Sequence, residues 1–370
     1  ALGLTWHLFN SHIWSTGQDA AAVIKNELQH LLPGIKIFLD VDDLANIGAL
    51  EEYISRSQTI LFFLSKGYFG SHNCLREVRA SLDQRKPLVL VQEGNLEKGG
   101  TLAALRAECP GHLREAIFDK GWSLTTWHRI EAFQLVSLKV ITEALLLCSP
   151  AYADETALPL YVPGEAQREH LGFLQPVVLW VSPSNSGAVY LVNELKSKFA
   201  ADTLTVVVED EAPTQESRKP THMLLYLNAN TWSGERGVRL AEQVKQARAD
   251  KLTIVMAHEN DPTRDGCAFD CMFQTTPQEL IAGLDGHPGL YKALATSFFP
   301  GAFREVSLVL LAKKLGATPV SENVNDARSG VIRYALRGRL SNRASKRRSS
   351  PLSTSEEVDV GPEESARQVV

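Results

Sequence analysis

Glu77 has the strongest claim to chemistry in this 370-residue chain. It closes Cys74-Leu75-Arg76-Glu77 at the start of a helical stretch, just after the polar loop Ser65-Lys66-Gly67-Tyr68-Phe69-Gly70-Ser71. The dipole of a helix favours an ionised carboxylate near its start. At 100° per residue, Leu75, Val78 and Leu82 mark the apolar face, and Glu77 falls about 130° from it. That predicts a first-turn carboxylate off the core. From this pattern alone, an ordinary solvated Glu paired with a nearby Arg is the reading favoured over a functional one.

Two more polar loops end apolar runs. Asn10-Ser11-His12-Ile13-Trp14-Ser15 follows the first, and Asp40-Val41-Asp42-Asp43-Leu44-Ala45-Asn46-Ile47-Gly48 follows the second. Open parallel sheets bind ligands outside the carboxyl ends of their strands, where these loops and the Ser65 loop are expected to meet. Other chemistries lack their residues. A phospho-receiver pocket needs an Asp after the third strand and a Lys after a later one, but Ser65 and Gln92-Glu93 stand there. No Gly-x-Gly-x-x-Gly follows a strand, and no P-loop or Gly-x-Ser-x-Gly occurs. His12, His72 and His128 read as loop hydrogen-bonders before they read as bases. Cys267-x3-Cys271 is not a zinc spacing and no second pair completes it, so no metal is expected.

The elements that must position these residues occur twice. Ala132-Phe133-Gln134-Leu135-Val136-Ser137-Leu138 returns as Ala302-Phe303-Arg304-Glu305-Val306-Ser307-Leu308. Upstream of each lies the same order of apolar run, loop, amphipathic stretch and apolar run, which marks a duplicated unit. In the first copy strands are expected near 6–9, 35–39, 60–64, 88–92 and 124–127, with helices near 18–32, 50–57, 73–84 and 130–147. In the second, strands are expected near 177–181, 204–208, 223–227 and 253–257, with helices near 189–199, 238–249 and 303–315. Short apolar strands alternating with helices imply a parallel sheet covered on both faces. The expected fold class is α/β: two tandem flavodoxin-like domains, each an open parallel sheet of about five strands. The first spans 1–148, a Pro- and Gly-bearing linker 149–170, and the second 171–317. A basic-then-acidic tail, 318–370, is expected to be disordered. Aligning His258-Glu259 on Gln92-Glu93 sets Gln243 in the place of Glu77, Glu242 in that of Arg76 and Asn228 in that of Ser65. A one-residue slip would return Glu242 to the glutamate's place.

Composition narrows the class. An apolar content of 44% with 22% charged residues is that of a globular protein with two cores. A net charge of −5 argues against nucleic-acid binding by the whole chain, leaving only the basic run around Lys346-Arg347-Arg348. Five cysteines without a disulfide pattern fit a reducing, cytoplasmic setting. No apolar run reaches the roughly 18 residues of a membrane span. The chain opens on Ala1 rather than Met, which reads as a piece of a longer protein.

The first copy resembles a TIR domain, the Toll/interleukin-1 receptor/resistance-protein module. Phe9-Asn10-Ser11-His12 resembles the family's first-strand signature. Phe38-Leu39-Asp40 through Gly48 is similar to its second strand and BB loop, Ile60 to Ser65 with Tyr68 resembles its third strand, and Cys74-Leu75-Arg76-Glu77 resembles its helix-C motif. The resemblance covers residues 5–148 and extends to the second copy only as a degenerate version. It implies cleavage of NAD to nicotinamide and ADP-ribose products in intracellular immune, stress or cell-death signalling, with NAD as substrate and no cofactor. Glu77 is then the catalytic residue. Ser11, His12, Trp14, Asp40, Asp43, Gly48, Ser65, Tyr68 and Trp127 are the expected substrate contacts. Trp127 resembles a site tryptophan of enzymatic members, and a buried structural Trp fits the same position. Residues 43–48 are candidates for closing over a ligand or for touching a neighbouring subunit. Many enzymatic relatives carry Trp four residues before the glutamate, where this chain has Asn73. The alternative is a non-enzymatic signalling adaptor that works by TIR–TIR self-association. Both readings imply a homo-oligomer.

Overall fold

An unbroken apolar run such as Ile60-Leu61-Phe62-Phe63-Leu64 is stable only when covered on both faces, and it forms the centre of a five-stranded sheet. The computed structural model describes residues 3–39, 50–152, 154–166, 170–199, 204–213, 218–283 and 288–320. Asp40, Asp42, Asp43 and Gly48 lie outside the described residues, as does the tail from 321 on. The sheet runs through β1 (Trp6–His12), β2 (Ile37–Phe38), β3 (Ser57–Leu64), β4 (Leu88–Glu93) and β5 (Ser123–Trp127). All neighbours are parallel, in the order β2-β1-β3-β4-β5. Its helices are α1 (Trp14–Leu31), α2 (Leu50–Ser55), α3 (His72–Asp83), α4 (Leu96–Gly99), α5 (Leu102–Glu108), α6 (Gly111–Phe118) and α7 (Glu131–Leu147).

Strand alternation sorts the core into two layers. Phe9, Phe38, Ile60, Phe62, Leu64, Leu88 and Leu90 face α3, α5 and α6. Leu8, Ile37, Leu61, Phe63, Val89, Val91 and Trp127 face α1 and α7. β1 runs to His12, past the expected 6–9, because Asn10, Ser11 and His12 are polar but buried.

The second copy begins after β6 (Leu171–Phe173), with β7 (Val177–Val181), α8 (Ala188–Lys198), β8 (Leu204–Val208), β9 (His222–Leu227), α9 (Gly234–Ala249) and β10 (Thr253–Glu259). It continues through α10 (Asp270–Thr275), α11 (Gln278–Ala282), β11 (Thr296–Phe298), α12 (Phe303–Lys314) and β12 (Ala317–Pro319). The order β11-β10-β9-β7-β8 is the first sheet's order in the second copy's own numbering. Both are therefore flavodoxin-like α/β domains. β12 pairs antiparallel with β6 and ties the ends of this copy together.

Both sheets belong to one compact unit, Ala1–Pro319. Phe133 and Val136 of α7 are buried in the second sheet's core, among Leu179, Phe298, Val306 and Val309. The contact is nearly symmetric. His128 and Phe299 each stand one residue past the fifth strand of their copy, and Phe133 and Phe303 occupy the same place in the repeated motif. His128 meets Phe299 at 4.0 Å and Phe303 at 4.7 Å between ring centroids, while Phe133 meets Phe299 at 5.2 Å and Phe303 at 6.2 Å. Each cross pair is the other read backwards, the signature of an isologous two-fold contact. The connection between the copies is packed rather than loose. Val162 and Ala166 are buried, and Glu165 accepts from Lys139 Nζ at 2.9 Å.

His128 is the polar member of this aromatic cluster, and burial lowers its pKa to about 4. The unfolded chain takes up this proton near pH 6.5 and the folded chain only near pH 4, so the unfolded state binds more protons in between. Stability should therefore fall as pH drops from 6.5 towards 4, by at most on the order of 3 kcal/mol from this group. Urea unfolding at stepped pH should show that slope in the wild type and a smaller one in His128→Phe.

Candidate functional site

Ser11 and Phe9 share a side of β1, so Ser11 faces α3 at the carboxyl end of the strand. Its hydroxyl donates to Glu77 Oε2 and sits 2.6 Å from the Tyr68 hydroxyl. Glu77 is the sixth residue of α3, in the second turn rather than the expected first, and only 6% of it is exposed. The helical wheel, which sees one helix alone, sets it off the core. The structure buries it because the end of β1 and the Tyr68 turn close over that side of α3. Ser81 Oγ donates back to the Glu77 carbonyl at 2.6 Å, and Ser71 caps the helix by accepting from the Cys74 N–H. Arg76 does not turn to Glu77; it forms a two-pronged pair with Glu51 on α2.

The Tyr68 turn is fastened by a residue from another element. Glu108 at the end of α5 accepts from the backbone N–H groups of Gly67, Phe69 and Gly70 at 3.1, 2.8 and 3.0 Å. Gly67 takes φ +84°, which a side chain would resist. Tyr68 is fully buried, and desolvation first, then the neighbouring Cys74 and Glu77, push its phenol well above its ordinary pKa. It remains protonated and able to donate.

Ser65 and His12 lie on the other side of the sheet, towards α1. Ser65 Oγ meets Thr16 Oγ1 at 2.8 Å, and a Cβ on Gly17 would stand 3.0 Å from Phe63 and 3.4 Å from Ser65 Oγ. A side chain there would require the Phe63 ring to give by a few tenths of an ångström. Trp14, at the start of α1, is 60% exposed. Trp127 is 1% exposed and packed among Leu8, Ile24 and Phe63, so it presents no face to a ligand. Asn73, one turn before Glu77, is exposed. The expected contacts therefore divide: Ser11, Tyr68 and Glu77 form one connected group, Ser65 and His12 a second on the opposite face, and Trp127 belongs to the core.

A further polar group escaped the sequence reading. Glu93 ends β4 fully buried, accepts from the Asn95 N–H at 2.9 Å and pairs with Arg129 at 2.5 Å. Arg129 also binds Asp19 on α1 at 2.9 Å, and Lys98 reaches the same carboxylate at 3.0 Å. Arg129 first, then Lys98, hold Asp19 far below the usual carboxylate range. The second copy builds the same network from other positions. Its Glu259 is equally buried, accepts from the Asp261 N–H, and pairs with Arg304, which binds Glu194 beside Arg264. The signal was present in the sequence, since Gln92-Glu93 and His258-Glu259 end matching strands.

Strand register fixes how the copies correspond. Leu64 pairs with Gln92 and Leu227 with His258, so the Glu93 and Glu259 ends coincide. On that register Ser182 takes the place of Ser11, and it donates to Gln243 Oε1 at 2.6 Å. Gln243 thus stands where Glu77 does, while Glu242 is exposed and pairs with Lys245. Gln243 Nε2 donates to the Asp210 carbonyl at 2.5 Å, so both ends of the amide are used internally.

No protein-family model and no curated protein matches the chain. Among solved structures, a metazoan TIR-STING receptor from C. gigas in complex with 2',3'-cGAMP is similar over part of the chain. The match has 17% identity and a TM-score of 0.29, covering 39% of this chain and 40% of the receptor's. Among the described residues, no group of three or more His, Cys, Asp and Glu could hold a metal, and no helix is long and apolar enough to cross a membrane.

Burial without a partner makes the Glu93 charge costly. Arg129→Met should lower stability by about 3–5 kcal/mol in urea unfolding. Adding Glu93→Gln to that variant should restore part of the loss.

Proposed function

We propose that the first copy cleaves NAD at the bond between ribose and nicotinamide, with Glu77 as its catalytic residue. The observation that carries this reading is a buried carboxylate, fixed by a hydroxyl, at the carboxyl edge of a flavodoxin-like sheet. The TIR resemblance of the loops around it supports the choice of substrate. In NAD the pyridinium nitrogen already carries positive charge. When the C1′–N bond breaks, its electron pair stays with nicotinamide and neutralises that nitrogen, while C1′ becomes an oxocarbenium cation. A fixed anion beside the sugar stabilises this cation more than the ground state, which is what catalysis requires. Water then adds to C1′ and loses a proton to solvent, leaving ADP-ribose. No metal or redox group takes part in this scheme.

Under this reading the second copy is inert and acts as a fixed partner, because Gln243 carries no charge. NAD is a cytoplasmic metabolite, in keeping with five free cysteines. A second reading, an adaptor that acts by association alone, draws on one observation: the isologous contact between the two copies is itself an association of such folds. Both readings allow homo-oligomers, so turnover must separate them.

Nicotinamide release from NAD by purified protein, crowded on a surface to force assembly, is the test. Glu77→Gln should abolish release while folding normally, since the second copy already holds a glutamine against a serine in that place. Gln243→Ala should retain most of the turnover. Wild-type protein that releases no nicotinamide would leave the adaptor reading standing.

A further inference from the structure

Hydrogens can be counted along the chain of groups that ends at Glu77. The Ser11 hydroxyl has one hydrogen and gives it to Glu77 Oε2. The 2.6 Å contact between Ser11 Oγ and Tyr68 OH must then be filled by the phenol's hydrogen. The order is Tyr68 O–H to Ser11 O–H to carboxylate, each donor polarising the next. We propose that Tyr68 is a positioning residue that acts through Ser11 to keep the Glu77 carboxylate anionic and fixed in orientation. It is not a substrate contact, since its ring is wholly buried.

The second copy supplies an internal comparison. Ser182 donates to Gln243 as Ser11 does to Glu77, but its own oxygen accepts from the Ser184 backbone N–H at 3.0 Å. The two turns after the third strand share backbone bonds that set their register. The Tyr68 N–H donates to the Ser65 carbonyl, and the Thr231 N–H donates to the Asn228 carbonyl. Thr231 therefore holds the place of Tyr68, and its hydroxyl turns away to the Tyr226 carbonyl at 3.0 Å. The serine is common to both copies. The phenol accompanies the carboxylate and is gone where the partner is a neutral amide.

Burial raises a carboxyl group's pKa, and hydrogen bonds donated to its charged form lower it. A buried Glu whose task is to face a cation needs the second effect to offset the first. Desolvation keeps the Tyr68 phenol protonated, so it does not surrender its proton to the chain. The other titratable groups around the phenol are the Cys74 thiol on α3 and the Cys109 thiol beyond α5, the latter raised to about 11 by burial. The nearest guanidinium on α3, Arg76, is committed to Glu51. The hydroxyl relay is one tuning device of this carboxylate. Glu108 belongs to the same device one step out, because its three backbone contacts hold the turn that aims the phenol.

The role in turnover rests on the NAD-cleavage reading, and the test is chosen so that the two can fail separately. Protein labelled with 13C at the glutamate side-chain carboxyl would be titrated by NMR, with Glu77→Gln identifying the Glu77 signal. In Tyr68→Phe, which keeps the ring and removes only the donor, the Glu77 midpoint should move upward by about 1 pH unit. Ser11→Ala should move it at least as far. If the NAD reading also holds, the acid limb of the kcat profile should move with the midpoint, costing about tenfold in kcat well below it while KM stays level. A Glu77 midpoint that is unchanged in Tyr68→Phe would overturn the proposal, whatever Ser11→Ala does and whatever the turnover. A midpoint that moves in protein releasing no nicotinamide would uphold the relay and reject the enzyme reading alone.

Discussion

A carboxylate removed from water must be met by donors, and that constraint organises both copies of this fold. Each sheet carries a glutamate at the end of its fourth strand with no exposed surface, and each surrounds it with an arginine and a backbone N–H. The two arginines come from different places, one from the loop after β5 and one from α12. The requirement has persisted while the residues that meet it have changed. By clasping an acid on α1 or α8 as well, each network joins the first helix of its copy to the fourth strand.

Glu77 answers the same constraint differently. The Ser11 hydroxyl meets it, backed by the Tyr68 phenol. An arginine would neutralise the carboxylate and cancel its field at a developing cation, whereas a hydroxyl holds it in place and leaves the charge. The second copy, with Gln243 donating and accepting internally, keeps the strut and discards the charge. A pair of copies bound through their repeated Ala-Phe-x-x-Val-Ser-Leu helices can thus differ in one functional position while sharing one architecture.

Strands were legible where burial on both faces writes a continuous apolar run, and 177–181 and 204–208 fall on β7 and β8 as expected. They were less legible where function intrudes. Asn10, Ser11 and His12 break the apolar run, yet they continue β1 because their side chains find partners inside. The three short helices after β4 carry no sustained period; Asn95 and Thr101 cap α4 and α5 through hydrogen bonds that pattern reading does not weigh. The burial of Glu77 was out of reach for a stronger reason. A helical wheel reports a residue against its own helix, and the atoms that cover Glu77 come from a strand 66 residues away and from a turn fastened by Glu108. Ser65 and Ser11 looked alike in sequence, but strand alternation sends them to opposite faces. Glu93 shows in sequence through its match with Glu259, but its partner Arg129 does not, because an ion pair between a strand end and a distant loop leaves no spacing to recognise.

The central proposal is that the two copies differ: the first, with its carboxylate, would take NAD, and the second would not. Hydrogen exchange with and without NAD, followed by mass spectrometry on Glu77→Gln to prevent turnover, tests it directly. The account predicts new protection on peptides covering 8–18 and 65–80, with none on 180–190 or 228–245. Protection confined to the second copy, or spread equally over both, would contradict it.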